Sequence, residues 1–282
     1  MPELPEAEYM VRRLRLDAPG VTIDRVRVLR PGMTRPQPPG RLAKLAAQQP
    51  VTGYGRRAKS VLIELGNAHT IRVQLGMTGH IYHVPNSRDL PQYTRIAFHL
   101  HDGSALAFED SRTFGNITIH PAKDLPTVFA ALGPEPLDAA FTPAVLAEVL
   151  KSSKAPIKPL LLDQGRVVGL GNIWAAEALW KSRIHPAAAP RDLTPKQIKA
   201  LHSAIVSVLA KAVENTFKAT GKGSDFPEAD LLAVAVYQRD GQPCRRCKQA
   251  IVRVTQAGRS TFFCPVCQAH RPPQSPRRIR QL

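Results

Sequence analysis

The apolar positions change their period along this chain. Between Pro5 and Gly20, the residues Met10, Val11, Leu14 and Ala18 recur at helical spacing, and Arg12, Arg13 and Arg15 fill the other face. This predicts a helix that Gly20 closes, because glycine takes the left-handed turn past a helix end without steric cost. Residues 31–40 are rich in proline and glycine and read as a loop. Strand-like runs follow at Val61–Leu65, Thr70–Leu75, Thr94–Leu100, Ala105–Phe108 and Asn116–Ile119, separated by turns such as Gly66-Asn67 and Asp102-Gly103. Short strands at this spacing predict a β-sandwich or barrel. Residues 121–143 hold five prolines and no clear period, which places an interdomain linker there. From Pro143 the pattern turns helical. Ile198, Leu201, Ile205, Val208, Leu209 and Ala212 mark one long amphipathic helix, with Thr194-Pro195 as cap and first turn. The polar stretch 218–230 predicts a mobile loop, and Val234–Tyr237 and Ile251–Val254 predict strands. The tail from Pro272 to Leu282 is basic and proline-containing, a composition of disorder.

Composition narrows the function. The 282 residues suit two domains with ample core. Lys and Arg number 39 against 22 Asp and Glu, a formal net charge of +17, which points to a polyanion such as nucleic acid. No apolar run approaches a membrane span, and Glu3, Glu6 and Glu8 replace the basic-then-apolar secretory pattern, so a cytoplasmic protein is expected. The four cysteines all lie between Cys244 and Cys267, which argues against a disulfide scaffold.

Several stretches carry chemistry. Cys244-x2-Cys247, sixteen residues, then Cys264-x2-Cys267 is the spacing of a closed, structural four-cysteine zinc site. Its hairpin holds Arg253, Arg259 and Thr261, suited to a phosphate backbone. Gly169-x-Gly171 lies between two helical stretches. It is either a glycine turn that offers backbone N–H groups to a ligand or a plain helix break, and Asn172 caps the next helix in both readings. Arg56-Arg57-Ala58-Lys59 is either a solvated strand entry or a phosphate contact. Met77 and Phe114 each sit in a glycine-bounded turn after a strand, as core residues or as wedges between bases. Finally, removal of Met1 would expose the secondary amine of Pro2. An α-amine titrates near pH ~8, so part of it is unprotonated and able to form a Schiff base. Glu3 and Glu6 stand close enough to move protons for that step. The same six residues also read as an ordinary helix start.

Together these stretches resemble the formamidopyrimidine-DNA glycosylase family, the helix–two-turns–helix base-excision enzymes, from Pro2 to Gln268 and in family order. The resemblance implies an α+β multidomain fold. Residues 1–132 would form a catalytic β-sandwich with an N-terminal helix, 133–235 a helical helix–two-turns–helix domain and 236–270 a zinc-finger β-hairpin, with 271–282 as a basic tail. It implies a glycosylase that removes oxidised purines (8-oxoguanine and formamidopyrimidines) and an AP lyase that nicks the strand by β,δ-elimination. Pro2 is then the nucleophile on C1′, Glu3 the acid/base that assists ring opening, and Glu6 a supporting carboxylate. Lys59 contacts the phosphate of the damaged nucleotide, and Arg259 and Asn172 pinch the flanking phosphates. Met77, Arg112 and Phe114 fill the hole left by the flipped base, with Arg112 facing the orphaned cytosine. Cys244, Cys247, Cys264 and Cys267 hold one zinc ion. The partner is damaged double-stranded DNA, and a monomer that avoids membranes is expected.

The chain departs from the family pattern at three places. Thr113 stands where arginine is common, Trp174 where tyrosine is common, and 218–236 is a shorter loop than the one that folds over 8-oxoguanine. Two alternatives follow: an endonuclease VIII-like enzyme for oxidised pyrimidines, and a non-catalytic zinc-ribbon binder of bent or abasic DNA.

Overall fold

The computed structural model describes residues 2–151, 153, 155–219 and 234–270. The altered loop between 220 and 233 and the tail from 271 therefore lie outside the described residues. The described chain divides into two compact units. Residues up to Leu132, with the last long helix from Val213 onward, form one; Gly133–Ala212 and residues 234–270 form the other.

The first unit contains α1 (Leu4–Asp17), α2 (Pro39–Ala46), α3 (Leu125–Val128) and eight strands: β1 (Thr22–Val28), β2 (Gln49–Arg57), β3 (Ser60–Leu65), β4 (His69–Gln74), β5 (Gly79–Val84), β6 (Thr94–Leu100), β7 (Ala105–Asp110) and β8 (Asn116–Pro121). The strands pair antiparallel in the order β5-β7-β6-β1-β2-β3-β4-β8. The β1–β2 link has only two paired positions, Thr22 with Pro50 and Ile23 with Gln49. The sheet folds over on itself there. Phe98, Leu106 and Phe108 from one half share a single buried core with Ile63, Ile71, Val73 and Ile117 from the other. Burying each such side chain contributes about 1.5–3 kcal/mol, so this core dominates the stability of the unit.

Sequence reading predicts five of these strands and misses β1, β2 and β5. Strand β1 shifts the phase of its alternation at a bulge between Ile23 and Arg25, and β2 carries Gly53 and Gly55. Glycines weaken a strand signal, since they offer no side chain to pack. The predicted loop over 31–40 is instead a 3-10 turn at Pro31–Thr34 followed by the start of α2. Pro39 opens that helix at a position where its missing N–H costs nothing.

Helix α1 buries Leu4, Ala7, Met10, Val11 and Leu14 and packs against β2, β3 and β5. Its far end is tied down twice. The Tyr54 hydroxyl donates to the Ala18 carbonyl at 2.8 Å, and the Arg15 guanidinium donates to the Tyr54 carbonyl at 2.6 Å.

The second unit contains α4 (Pro143–Lys151), α5 (Ile157–Leu162), α6 (Asn172–Ser182), α7 (Pro195–Ala219) as far as Ala212, and the hairpin β9 (Val252–Gln256) and β10 (Arg259–Phe263). Thr194 caps α7 as predicted. Its Oγ accepts from Gln197 N–H at 3.3 Å while Gln197 Oε1 accepts from Thr194 N–H at 2.9 Å, a reciprocal capping box. The hairpin turns through Ala257 and Gly258, both at positive φ, as a tight β-turn of the right twist requires. Its inner face shares a small core with α6: Ala176, Ile251 and Phe262 close over Cys244 and Cys264.

The predicted strand Val234–Tyr237 is absent. The Glu177 carboxylate on α6 instead accepts the N–H groups of Ala235, Val236 and Tyr237 at 2.8–3.0 Å, which bends this segment around a side chain and away from a strand ladder. Among the described residues no helix is long and apolar enough to cross a membrane.

Candidate functional site

Within the first unit, one cluster forms at the N-terminus of α1. Glu3 is the cap residue, with extended backbone. Its N–H donates to Glu6 Oε2 at 2.8 Å, while its own carboxylate accepts the N–H of Glu6. This closes a capping box of two carboxylates. Pro2 and Glu3 are buried. Burial, and then the neighbouring Glu3 charge, push the Glu6 carboxyl up to about 7.

A raised carboxylate pKa means that the folded state holds its proton more tightly than the unfolded chain. The folded state therefore loses stability as pH rises from the ordinary carboxylate range through about 7. A gap of that size corresponds to roughly 3 kcal/mol. We expect Glu6→Gln to flatten this slope and to be the more stable variant at pH 8, as read by urea unfolding at pH 5 and pH 8. Parallel curves for the two proteins would contradict it.

Lys59 lies in the two-residue turn between β2 and β3, beside Ala58 at φ +55°. Its neighbour Arg56 is tied into the protein itself. Arg56 Nε reaches Glu8 at 3.1 Å and its Nη1 donates to the Ala58 carbonyl at 2.8 Å, so it braces the turn that carries Lys59. Met77 and Phe114 are 39% and 56% exposed, not core residues. The Arg112 guanidinium stacks over the Phe114 ring at 4.9 Å.

The second unit gathers another cluster. Asn172 is the first residue of α6, and Gly171 takes the cap position predicted for it. The Asn172 side chain is occupied elsewhere: its amide donates to the Ser260 carbonyl at 3.0 Å and its Oδ1 accepts from Lys158 Nζ at 2.6 Å. This places Asn172 one residue from Arg259, which starts β10 and is exposed. Thr261, expected among the phosphate-facing residues, is fully buried, and its Oγ accepts from Lys158 Nζ at 2.8 Å.

The four cysteine sulfurs lie within 4.8 Å of one another. Cys244 and Cys267 are 3.9 Å apart and Cys247 and Cys264 are 3.4 Å apart. Metal–sulfur bonds of about 2.3 Å in a tetrahedron put the sulfurs about 3.8 Å apart, so the set fits one zinc ion. Burial works against the Cys244 thiolate, but the N–H of Cys247, the Trp180 indole and the N–H of Arg246 outweigh it and hold the thiol at about 6. The Trp180 Nε1–Sγ distance is 3.4 Å.

Sequence reading missed Asp110, Lys158, Glu177 and Trp180. Lys158 lies in the run Ile-Lys-Pro-Leu-Leu-Leu, where an isolated lysine reads as surface, yet it is 1% exposed. The apolar residues on both sides of it were the available signal.

Comparison with known proteins agrees over 95% of the chain. Residues 1–117 match the formamidopyrimidine-DNA glycosylase N-terminal domain, 132–222 its H2TH domain, and 241–269 the zinc finger found in FPG and IleRS. A formamidopyrimidine-DNA glycosylase of Chloroflexus aggregans is 43% identical over 95% of this chain and 98% of its own. Among solved structures, MutM in complex with carbocyclic 8-oxo-G containing DNA is 30% identical with a TM-score of 0.88, over 95% of this chain and 100% of that one. The Lactococcus lactis enzyme with an oxidised-pyrimidine-containing DNA is 30% identical with a TM-score of 0.87, at the same coverage. With its three domain models, its β-sandwich, helical and four-cysteine parts and its one structural zinc site, this chain is an enzyme and belongs to the formamidopyrimidine-DNA glycosylase family.

Proposed function

We propose that this enzyme removes oxidised purines from duplex DNA and then cleaves the strand as an AP lyase. The observation that carries this reading is the N-terminus of α1: a buried Pro2 beside two interlocked carboxylates, one of them titrating near 7. Once Met1 is removed, the Pro2 nitrogen attacks C1′. The N–C1′ bond forms, the bond to the damaged base breaks, and the proton that the amine sheds passes to the departing base. Glu3 delivers a proton to the ring oxygen, the sugar opens, and the nitrogen is left as an iminium. The iminium acidifies the C2′ proton, the 3′ phosphate leaves, and the 5′ phosphate follows. Glu6 supports Glu3 through the capping box.

Lys59 meets the phosphate of the extruded nucleotide, and Asn172 with Arg259 holds the flanking phosphates, in line with the +17 charge. Met77, Arg112 and Phe114 enter the duplex, because a base inside a stack cannot expose C1′ and unstacking costs a few kcal/mol. The division into 1–132, 133–235, 236–270 and 271–282 follows these roles. A cytoplasmic monomer suits an enzyme that clamps one asymmetric lesion.

Borohydride trapping tests this on duplexes with 8-oxoguanine opposite cytosine, 5-hydroxyuracil, or an abasic site. We expect an adduct on 8-oxoguanine. Pro2→Gly replaces the secondary amine by a primary one on a looser backbone, and should lower trapping by about 10²-fold through lost orientation. An adduct on the pyrimidine lesion alone would favour the second reading, which the oxidised-pyrimidine complex of the Lactococcus lactis relative keeps in play. Undiminished trapping by Pro2→Gly would overturn the assignment of the nucleophile.

A further inference from the structure

We propose that Asp110 is the positioning residue for base extrusion: its buried carboxylate ties the Met77 turn and the Arg112–Phe114 loop into one rigid wedge. This rests on the reading of Met77, Arg112 and Phe114 as the residues that enter the duplex.

Asp110 ends β7 and is fully buried. Its Oδ1 accepts from the Thr78 hydroxyl at 2.5 Å and from the Arg112 N–H at 3.2 Å, and its Oδ2 accepts from the Gly115 N–H at 2.7 Å. Thr78 follows Met77, and Arg112 and Gly115 bracket Phe114. One side chain thus bonds both ends of one loop and the residue beside the third wedge side chain. These three donors are all neutral groups. A buried carboxylate is tolerated only when its oxygens are satisfied. Those three bonds hold only while both turns stay closed around the carboxylate, and opening either one breaks them.

The backbone reinforces the tie. A Cβ on Gly76 would lie 2.6 Å from the Phe114 carbonyl carbon, and Gly76 has φ +64°. The two turns therefore touch backbone to backbone. Thr113 also sits at positive φ, φ +56°, and beyond it the Phe114 side chain is more than half exposed. From the other side, Arg95 Nε donates to the Asp110 carbonyl at 2.8 Å. A wedge must resist a stacked duplex without yielding, and a loop held only by exposed contacts would fold back. Asparagine cannot replace this carboxylate. It has one acceptor oxygen where both are used, and its amide would present a donor to another N–H donor.

The test compares Asp110→Asn, Thr78→Val and Phe114→Ala on two DNAs. One is an 8-oxoguanine duplex with 2-aminopurine next to the lesion, which reports unstacking. The other is a single-stranded abasic oligonucleotide, where nothing has to be extruded. We expect Asp110→Asn to lower the duplex excision rate and the 2-aminopurine signal by about 10- to 100-fold, the range for losing hydrogen bonds to a charged group. Borohydride trapping on the single strand should stay within about twofold, since the Pro2 chemistry is untouched. Thr78→Val should act in the same direction and more weakly, and it decides the question if Asp110→Asn does not fold.

Duplex excision by a folded Asp110→Asn at the native rate would overturn the proposal. So would an equal loss on both DNAs, which would mean general damage to the fold. If Phe114→Ala itself leaves the 2-aminopurine signal intact, the failure lies with the wedge reading and not with Asp110.

Discussion

A Glu3→Gln variant is expected to excise 8-oxoguanine from duplex DNA about 10²- to 10⁴-fold more slowly than the native chain, the range for losing a positioned general acid–base group. Structure makes this a clean substitution. Glu3 is 1% exposed and its carboxylate accepts the N–H of Glu6 at the helix start. Glutamine keeps an acceptor of the same reach, so the cap survives and α1 stays in place. What is lost is the exchangeable proton. Single-turnover base release would show the full effect. Schiff-base formation on a ready-made abasic site should suffer less, because its sugar already opens spontaneously to the aldehyde. Excision within a fewfold of native would exclude Glu3 as the proton donor and shift attention to Glu6, whose carboxyl is pushed up to about 7.

Loss of the zinc ion is the second large effect expected, by Cys244→Ser or by a chelator. Cys244 and Cys264 are fully buried members of the small core shared by the hairpin and α6. Free energies of zinc binding to such sites, about 10–16 kcal/mol, act as folding energy. Without the ion, four sulfurs within 4.8 Å of one another lose their reason to converge, and the hairpin should open. The effect would not stop at the metal. The carbonyl of Ser260 on that hairpin accepts from Asn172, and Thr261 accepts from Lys158, so both side chains lose their alignment. DNA affinity should fall together with zinc content, and the salt dependence of binding should become shallower by about one for each phosphate that the opened hairpin no longer holds. Chelator titration monitored by DNA binding and by Trp180 fluorescence would check this, since the Trp180 indole donates to Cys244. Full DNA binding by zinc-free protein would show that the hairpin is not part of the DNA surface.

Much of this molecule was legible in the residues alone. Helix α1 was, because its apolar positions follow the helical period, although it stops at Asp17 with Ala18 as its cap, ahead of the predicted closure at Gly20. The zinc site was, because two Cys-x2-Cys turns are local geometry that needs no knowledge of the fold. The cap of α7 at Thr194 was, for the same local reason. The five strands with dense β-branched or aromatic runs were found as well. Strands β1, β2 and β5 were not, because a bulge, glycines and histidines blur their alternation and only their neighbours in the sheet hold them extended.

The bonding of single polar residues was decided by tertiary structure. Asn172 reads as a helix cap and instead joins Lys158 to the hairpin, 88 residues away along the chain. Arg56 stands in a basic run whose sequence leaves its partner open, and it braces a turn through Glu8. Glu177 and Asp110 read as ordinary acids, yet each satisfies three donors in the interior. The physical reason is one of range. Period, caps and metal spacing are set by atoms within a turn or two of each other, so the sequence by itself determined helices α1 and α7, the zinc centre and the family motifs. Which polar atom meets which depends on chain segments brought together only by burial of the cores, and a buried polar group then takes whatever partner the fold supplies.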